Sequence, residues 1–145
     1  MFLGQYTHTI DDKGRLTIPV RFRDQLPNGG YIMSGFDNNL MVILPEHYER
    51  FCEQLALSSL TESRLRELNR SVFGQMFEIE VDKLGRILLP GSLRGQYNLQ
   101  SEARIIGAGY YFEIWSPEAW AENNAKTEEK QRDEDRYAAF KLSFK

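Results

Sequence analysis

One charged turn occurs twice in this chain, embedded in the same longer pattern. Asp11-Asp12-Lys13-Gly14-Arg15-Leu16-Thr17-Ile18-Pro19 returns at a constant offset as Asp82-Lys83-Leu84-Gly85-Arg86-Ile87-Leu88-Leu89-Pro90. Both copies hold Asp-x-x-Gly-Arg, three β-prone or apolar residues and a proline. Such a repeat calls for two copies of one small unit, each unable to bury its apolar face alone. Because the charges return along with the apolar pattern, the two units present the same chemistry at two places. Function is to be sought in the pair Arg15 and Arg86.

The repeat extends beyond the motif. Tyr6, His8 and Ile10 alternate at period two and align with Phe77, Ile79 and Val81, as strands with one buried face do. A glycine turn follows in each copy, where glycine supplies a positive φ. Residues 15–18 and 86–89 are then return strands. Pro19 and Pro90 suit the first position of a helix, where a missing N–H costs little. The short helices they open span 20–25 and 91–96, with Arg23 matching Arg94. After a one-residue slip, 32–35 matches 104–107, 40–44 matches 112–116, and Pro45-Glu46 matches Pro117-Glu118, with Tyr48 opposite Trp120. Units this small are expected to share one core.

Between the copies, 46–57 and 61–73 read as helices. Tyr48, Phe51, Cys52 and Leu55 fall at helical spacing, as do Leu65, Leu68 and Val72, and Thr61 is the expected cap of the second. The tail 117–136 mixes both charges densely and reads as a solvated helix or a partly disordered segment. Tyr137, Phe140, Leu142 and Phe144 then give an aromatic ending, expected to dock on this chain or on a second copy.

With 145 residues the chain is one compact domain or two very small ones. No stretch approaches the roughly 20 apolar residues of a membrane span, and the first residues carry no secretion pattern. A single cysteine excludes an internal disulfide and fits a reducing cytoplasm. Cys52 reads as a buried structural thiol. The net charge of −3 argues against indiscriminate binding to polyanions, but recognition depends on local potential. Acidic residues concentrate in 46–80 and from Glu118 onward, whereas the first turn and helix carry Lys13, Arg15, Arg21 and Arg23, and the second carry Lys83, Arg86 and Arg94. The expectation is a locally basic face on an acidic protein.

Asp-x-x-Gly-Arg sets a carboxylate at the end of one strand and a guanidinium at the start of the next. The aspartate can accept turn N–H groups and restrain the arginine head, lowering the entropy lost when that head meets a phosphate or base. Arginine's planar fork grips two acceptors at once, and its preferred partner in the major groove is the O6/N7 edge of guanine. The competing reading is a structural ion pair closing a hairpin. It is the better reading for one copy, since partly exposed Asp–Arg pairs are common and contribute little. Two copies shift the balance towards function without settling it, because duplication copies structural features too.

An enzyme is the weakest reading. His8 aligns with apolar Ile79 and reads as a packed core histidine, and His47 as a surface residue. Two isolated histidines and one cysteine form no metal-ligand pattern. No phosphate or dinucleotide fingerprint surrounds the glycines, so no cofactor and no small-molecule substrate are expected. Tyr110, Tyr111, Phe112 and Trp115 read as core and subunit interface before they read as a stacking platform for single strands.

Gly4, Asp11-x-x-x-Arg15, Leu16-Thr17-Ile18-Pro19, Gly35-Phe36-Asp37-Asn38-Asn39-Leu40, Asp82-x-x-x-Arg86, Leu89-Pro90 and Phe112-Glu113-Ile114-Trp115 together resemble the MraZ family. These are bacterial regulators associated with the division and cell-wall gene cluster. The resemblance runs from Met1 to about Trp120 and implies an α+β fold: a tandem double-split β-α-β (AbrB/SpoVT-type, swapped-hairpin-like) barrel with flanking helices. It divides the chain into a first repeat at 5–47, a helical connector at 48–75, a second repeat at 76–124 and a charged tail at 125–145. It further implies a ring-shaped homo-oligomer, cytoplasmic and nucleoid-associated. Such a ring binds short G-rich direct repeats in double-stranded DNA at the promoter of its own cluster, usually as a repressor. The DNA contacts it implies fall on Asp11 and Arg15 and on Asp82 and Arg86. Lys13 and Lys83 are expected to add phosphate contacts, helped by Arg21, Arg23 or Arg94. The alternative left open is a protein-interaction or antitoxin-like module in which the Asp-Arg turns are structural. The turns are not chemically equal, since Asp12-Lys13 in one stands where Lys83-Leu84 stands in the other.

Overall fold

A computed structural model describes residues 1–56, 61–130 and 135–143. Among the described residues eight strands and five α-helices follow in the order β1 (Gln5–Thr9), β2 (Arg15–Thr17), α1 (Val20–Arg23), β3 (Gly30–Ser34), β4 (Leu40–Ile43), α2 (Pro45–Ala56), α3 (Ser63–Phe73), β5 (Phe77–Ile79), β6 (Arg86–Leu88), α4 (Gly91–Gln96), β7 (Glu102–Gly107), β8 (Tyr111–Trp115) and α5 (Pro117–Lys130). A 3₁₀ turn at Ala138–Phe140 ends the described chain. The class is α+β.

Six strands form one antiparallel sheet in the order β1-β7-β8-β4-β3-β5, and β2 and β6 form a separate antiparallel ribbon. The repeat makes this order a palindrome, since β1 corresponds to β5, β7 to β3 and β8 to β4. The ladders of β1, β5, β2 and β6 are therefore all between repeats: β1 with β7, β5 with β3, β2 with β6. Neither copy completes its own sheet, which is how two undersized units come to share one core.

Among the described residues the expected barrel does not close. The ladder has free ends at β1 and β5, and the ribbon meets the sheet through the Ile10–Leu16 bridge. The ribbon strands are three residues each and stop before Pro19 and Pro90, whose missing N–H groups cannot extend a ladder. Each proline takes the N-cap position, with φ −52° and −55°, one place earlier than expected. Its carbonyl accepts the first helical bonds, from the N–H groups of Phe22 and Arg23 at Pro19 and of Arg94 at Pro90.

The main core lies between ribbon and sheet and draws equally on both copies. Leu16 and Ile87, Ile18 and Leu89, and Phe22 and Leu93 are all buried in it. Phe2, Phe22 and Phe112 meet with ring centroids 5.0–5.1 Å apart. A second cluster covers the opposite face of the sheet. Met33, Ile43 and Val72 are buried there, and Tyr48 of α2 stacks on Tyr31 at 3.8 Å. The helical periodicity of 46–57 and 61–73 is thus packing against strands. Leu57 lies outside the described residues. Helix α3 starts at Ser63 with Glu62 in the cap position and no side-chain cap bond, so Thr61 is not the cap.

Helix α5 buries none of its residues, as a solvated helix should. Tyr137, Phe140 and Leu142 remain exposed and are not buried against any of the described residues; Phe144 lies outside the described residues.

Candidate functional site

Asp11 and Asp82 act as the internal staples of their turns. The Asp11 Oδ1 accepts the N–H groups of Lys13 at 3.0 Å and Arg15 at 2.9 Å, and its Oδ2 accepts Nε–H of Arg15 at 2.6 Å. In the second copy, Asp82 Oδ1 accepts the N–H groups of Leu84 and Arg86, and Oδ2 accepts Nε–H of Arg86, all at 2.9 Å. Backbone bonds close both turns, Gly14 N–H to Asp11 O and Gly85 N–H to Asp82 O, each at 3.0 Å. Gly14 at φ +84° and Gly85 at φ +78° occupy the region that favours glycine. A carboxylate with two backbone donors and a guanidinium fixes the arginine stem before any ligand arrives. Both carboxyls are held below the usual carboxylate range. The first cause is the backbone hydrogen bond from Arg15 or Arg86, reinforced by that arginine's side chain and by the N–H of Lys13 or Leu84.

The ribbon brings the two turns together. Arg15 pairs with Leu88, Leu16 with Ile87, and Thr17 with Arg86. At its ends, Leu89 N–H donates to Gly14 O and Ile18 N–H to Gly85 O, both at 2.9 Å, so each turn is tied to the other copy's strand. Arg86 Nη1 lies 3.6 Å from Asp11 Oδ2, the oxygen that already holds Arg15. Both arginines thus converge on one carboxylate. The reciprocal pair of Arg15 with Asp82 does not form among the described residues. Arg15 keeps 34% of its side chain exposed, against 23% for Arg86.

Arg23 and Arg94, expected only as auxiliary phosphate contacts, prove to be braces. Arg23 donates its Nε–H to Ile18 O at 2.7 Å and lays its guanidinium where a side chain at Gly85 would stand. Arg94 donates to Leu99 O at 2.9 Å and Gln100 O at 3.0 Å, and its Nη1 would lie 3.4 Å from a Cβ on Gly14. Each brace crosses to the turn of the other copy. Their matched positions after Pro19 and Pro90 were visible in the repeat, but the crossing is a tertiary fact. Lys13 and Lys83 are exposed on these turns, as is Arg21 on α1. The two turns and their braces together carry six cations, Lys13, Arg15, Arg23, Lys83, Arg86 and Arg94, against three carboxylates, Asp11, Asp12 and Asp82.

The remaining polar candidates lie elsewhere. His8 is half-buried beside Tyr6, not a core residue; burial first, then the charge of Arg23, lowers its pKa. His47 is half-buried against Tyr110, and Cys52 is half-buried too. Both sit on a helix whose side against the sheet is apolar. No group of three or more His, Cys, Asp or Glu able to hold a metal occurs among the described residues. Phe112 and Trp115 are core, Tyr111 is half-buried and Tyr110 is exposed. One buried polar site escaped sequence reasoning. Asn39 Nδ2 donates to Glu113 Oε2 at 2.8 Å, and Trp115 Nε1 to Glu113 Oε1 at 3.2 Å. Burial pushes the Glu113 carboxyl up despite these donors. No helix among the described residues is long and apolar enough to cross a membrane.

A family model described as "MraZ protein, putative antitoxin-like" matches residues 1–71 and again 72–142. The chain belongs to the MraZ family. Each matched MraZ segment contains one Asp-Arg turn. Proteins named transcriptional regulator MraZ are similar along most of their length. That of Thermomicrobium roseum is 42% identical over 121 residues, covering 83% of this chain and 85% of its own. That of Roseiflexus castenholzii is 44% identical over 120 residues, covering 83% and 84%. That of Heliobacterium modesticaldum is 42% identical over 126 residues, covering 87% and 88%.

Proposed function

We propose that this MraZ-family chain is a sequence-specific transcriptional regulator that binds double-stranded DNA through its paired Asp-Arg turns. The observation that carries the reading is the convergence of Arg15 and Arg86 at one two-stranded ribbon, each with its stem fixed by an aspartate. A ribbon of this width fits the major groove. There Arg15 and Arg86 contact guanine edges, Asp11 and Asp82 orient them, and Lys13 and Lys83 contact phosphates that set the register. The names of its relatives support regulation of transcription.

In the finer reading, 5–47 and 76–124 are two AbrB/SpoVT-type swapped-hairpin units, joined by the helical connector 48–75 and followed by the tail 125–145. The chain assembles as a homo-oligomeric ring whose modules engage successive direct repeats in the promoter of its own division and cell-wall gene cluster, repressing it. One small module binds weakly, and several on one ring gain effective concentration. A titration of salt against affinity tests this, using duplex DNA from upstream of the protein's own gene beside a scrambled duplex. Selective binding that falls steeply with salt is expected. Equal affinity for both duplexes leaves an electrostatic binder without specificity, and no binding removes the reading.

The exposed Tyr137, Phe140 and Leu142 favour a second reading, an antitoxin-like module whose tail holds a protein partner. Deleting residues 135–145 weakens that partner's capture and leaves DNA affinity unchanged.

A further inference from the structure

The ribbon has one face in the core and one outside. Leu16 and Ile87 are fully buried, and the alternation of the strands sets Arg15, Thr17, Arg86 and Leu88 on the other face. Register places Leu88 directly across from Arg15 and Thr17 across from Arg86. The bonds between Leu89 and Gly14 and between Ile18 and Gly85 mark the hydrogen-bonded positions at the two ends. Arg15–Leu88 and Thr17–Arg86 are then non-hydrogen-bonded pairs, in which facing side chains approach most closely.

Leu88 is 61% exposed, and Leu84 at the tip of the neighbouring turn is 68% exposed. The second copy thus sets two leucines around Arg86 where the first sets Lys13 and Thr17 around Arg15. A leucine gains nothing from phosphate or from water. Across from it, Arg15 spends its Nε on Asp11, and its Nη nitrogens have no protein partner among the described residues.

We infer that Leu88 is a specificity-determining residue that packs on the C5-methyl group of a thymine beside the guanine held by Arg15. The inference rests on the DNA-binding reading above and names a base that reading does not. In the major groove thymine is the base that presents a methyl group, and apolar side chains recognise it by contact. The cations around the ribbon bring the polyanion to this face, and Leu88 is the apolar side chain set opposite the arginine with free donors. The repeat makes the recognition asymmetric, because Thr17 at the equivalent place carries one methyl and a hydroxyl that takes either base.

The test uses the full chain and two duplexes from upstream of its own gene, one with thymine and one with deoxyuridine, which lacks only the methyl. The wild type is expected to bind the thymine duplex more tightly, by about fourfold for each methyl contacted. Leu88→Ala is expected to bind both equally with an unchanged salt slope, and Leu88→Met to keep the preference. A wild type indifferent to the methyl, or a Leu88→Ala protein that keeps the preference, overturns the inference while DNA binding stands. Loss of assembly in Leu88→Ala, with equal weakening on both duplexes, also overturns it and makes Leu88 a subunit contact. Failure of the wild type to bind either duplex removes the DNA-binding reading and this inference together.

Discussion

In the first turn Arg15 has one carboxylate, its own, and leaves its Nη nitrogens without a protein partner among the described residues. In the second, Arg86 lies between Asp82 and Asp11 and is the less exposed of the two. The backbone bonds within the turns are the same to within 0.2 Å or less. Local sequence therefore sets each turn, and the partner copy sets what its arginine is free to do. Under the proposed reading Arg15 is the freer of the two to contact a base, whereas Arg86 also ties the first turn to the second.

The comparison breaks most readily at the arginines. Arg15→Ala and Arg86→Ala should each lower affinity for the upstream duplex by about 10- to 100-fold, the range of one bidentate base contact. If only Arg15→Ala weakens binding, Arg86 is a strut and the pair does not share recognition. Gly14→Ala and Gly85→Ala should each cost about 1–2 kcal/mol of stability in denaturant unfolding, because both glycines lie at positive φ. The larger loss is expected at Gly85, where the new methyl evicts the Arg23 guanidinium from its place beside Ile18 O. Equal losses would show that the two braces are interchangeable.

Smaller effects sharpen the contrast. Lys13→Ala and Lys83→Ala should each flatten the log–log salt dependence by about 0.9 and spare sequence preference. A smaller change at Lys13 is expected, since Asp12 beside it already offsets its charge. In double-mutant cycles on stability, Asp11→Asn with Arg86→Ala should show coupling, and Asp82→Asn with Arg15→Ala should show none. The pH dependence has a fixed sign. Both aspartates have folded pKa values below the ordinary 3.8, so their contribution is complete at neutral pH. It is lost as pH falls below about 4 through the lowered values, and acid titration of the coupling checks this.

Much of this was legible in the sequence because the repeat keeps its spacing. The strands around Tyr6 and Ile79, the turns at Gly14 and Gly85, and the helices after Pro19 and Pro90 all follow from alternation and backbone chemistry. The open sheet was not legible, because strand alternation says which face is buried but not whether edges meet. His8 illustrates the same limit: its aligned partner Ile79 is buried on edge strand β5, yet His8, on the other edge strand, is half-buried with Arg23 alongside. The inequality of Arg15 and Arg86 arises from a contact between residues far apart in the chain. Asn39 with Glu113 was hidden likewise, since one precedes β4 and the other stands in the middle of β8, and each looks like an ordinary polar residue until the strands pair.

The central claim is that Arg15 and Arg86 act together on DNA. The most direct test compares the wild type with an Arg15→Ala/Arg86→Ala protein shown to assemble and melt as the wild type does, titrated with the upstream duplex at fixed salt. The account predicts a loss of at least about a hundredfold, with the remaining affinity shared equally by a scrambled duplex. Undiminished, sequence-selective binding by the double variant would contradict it.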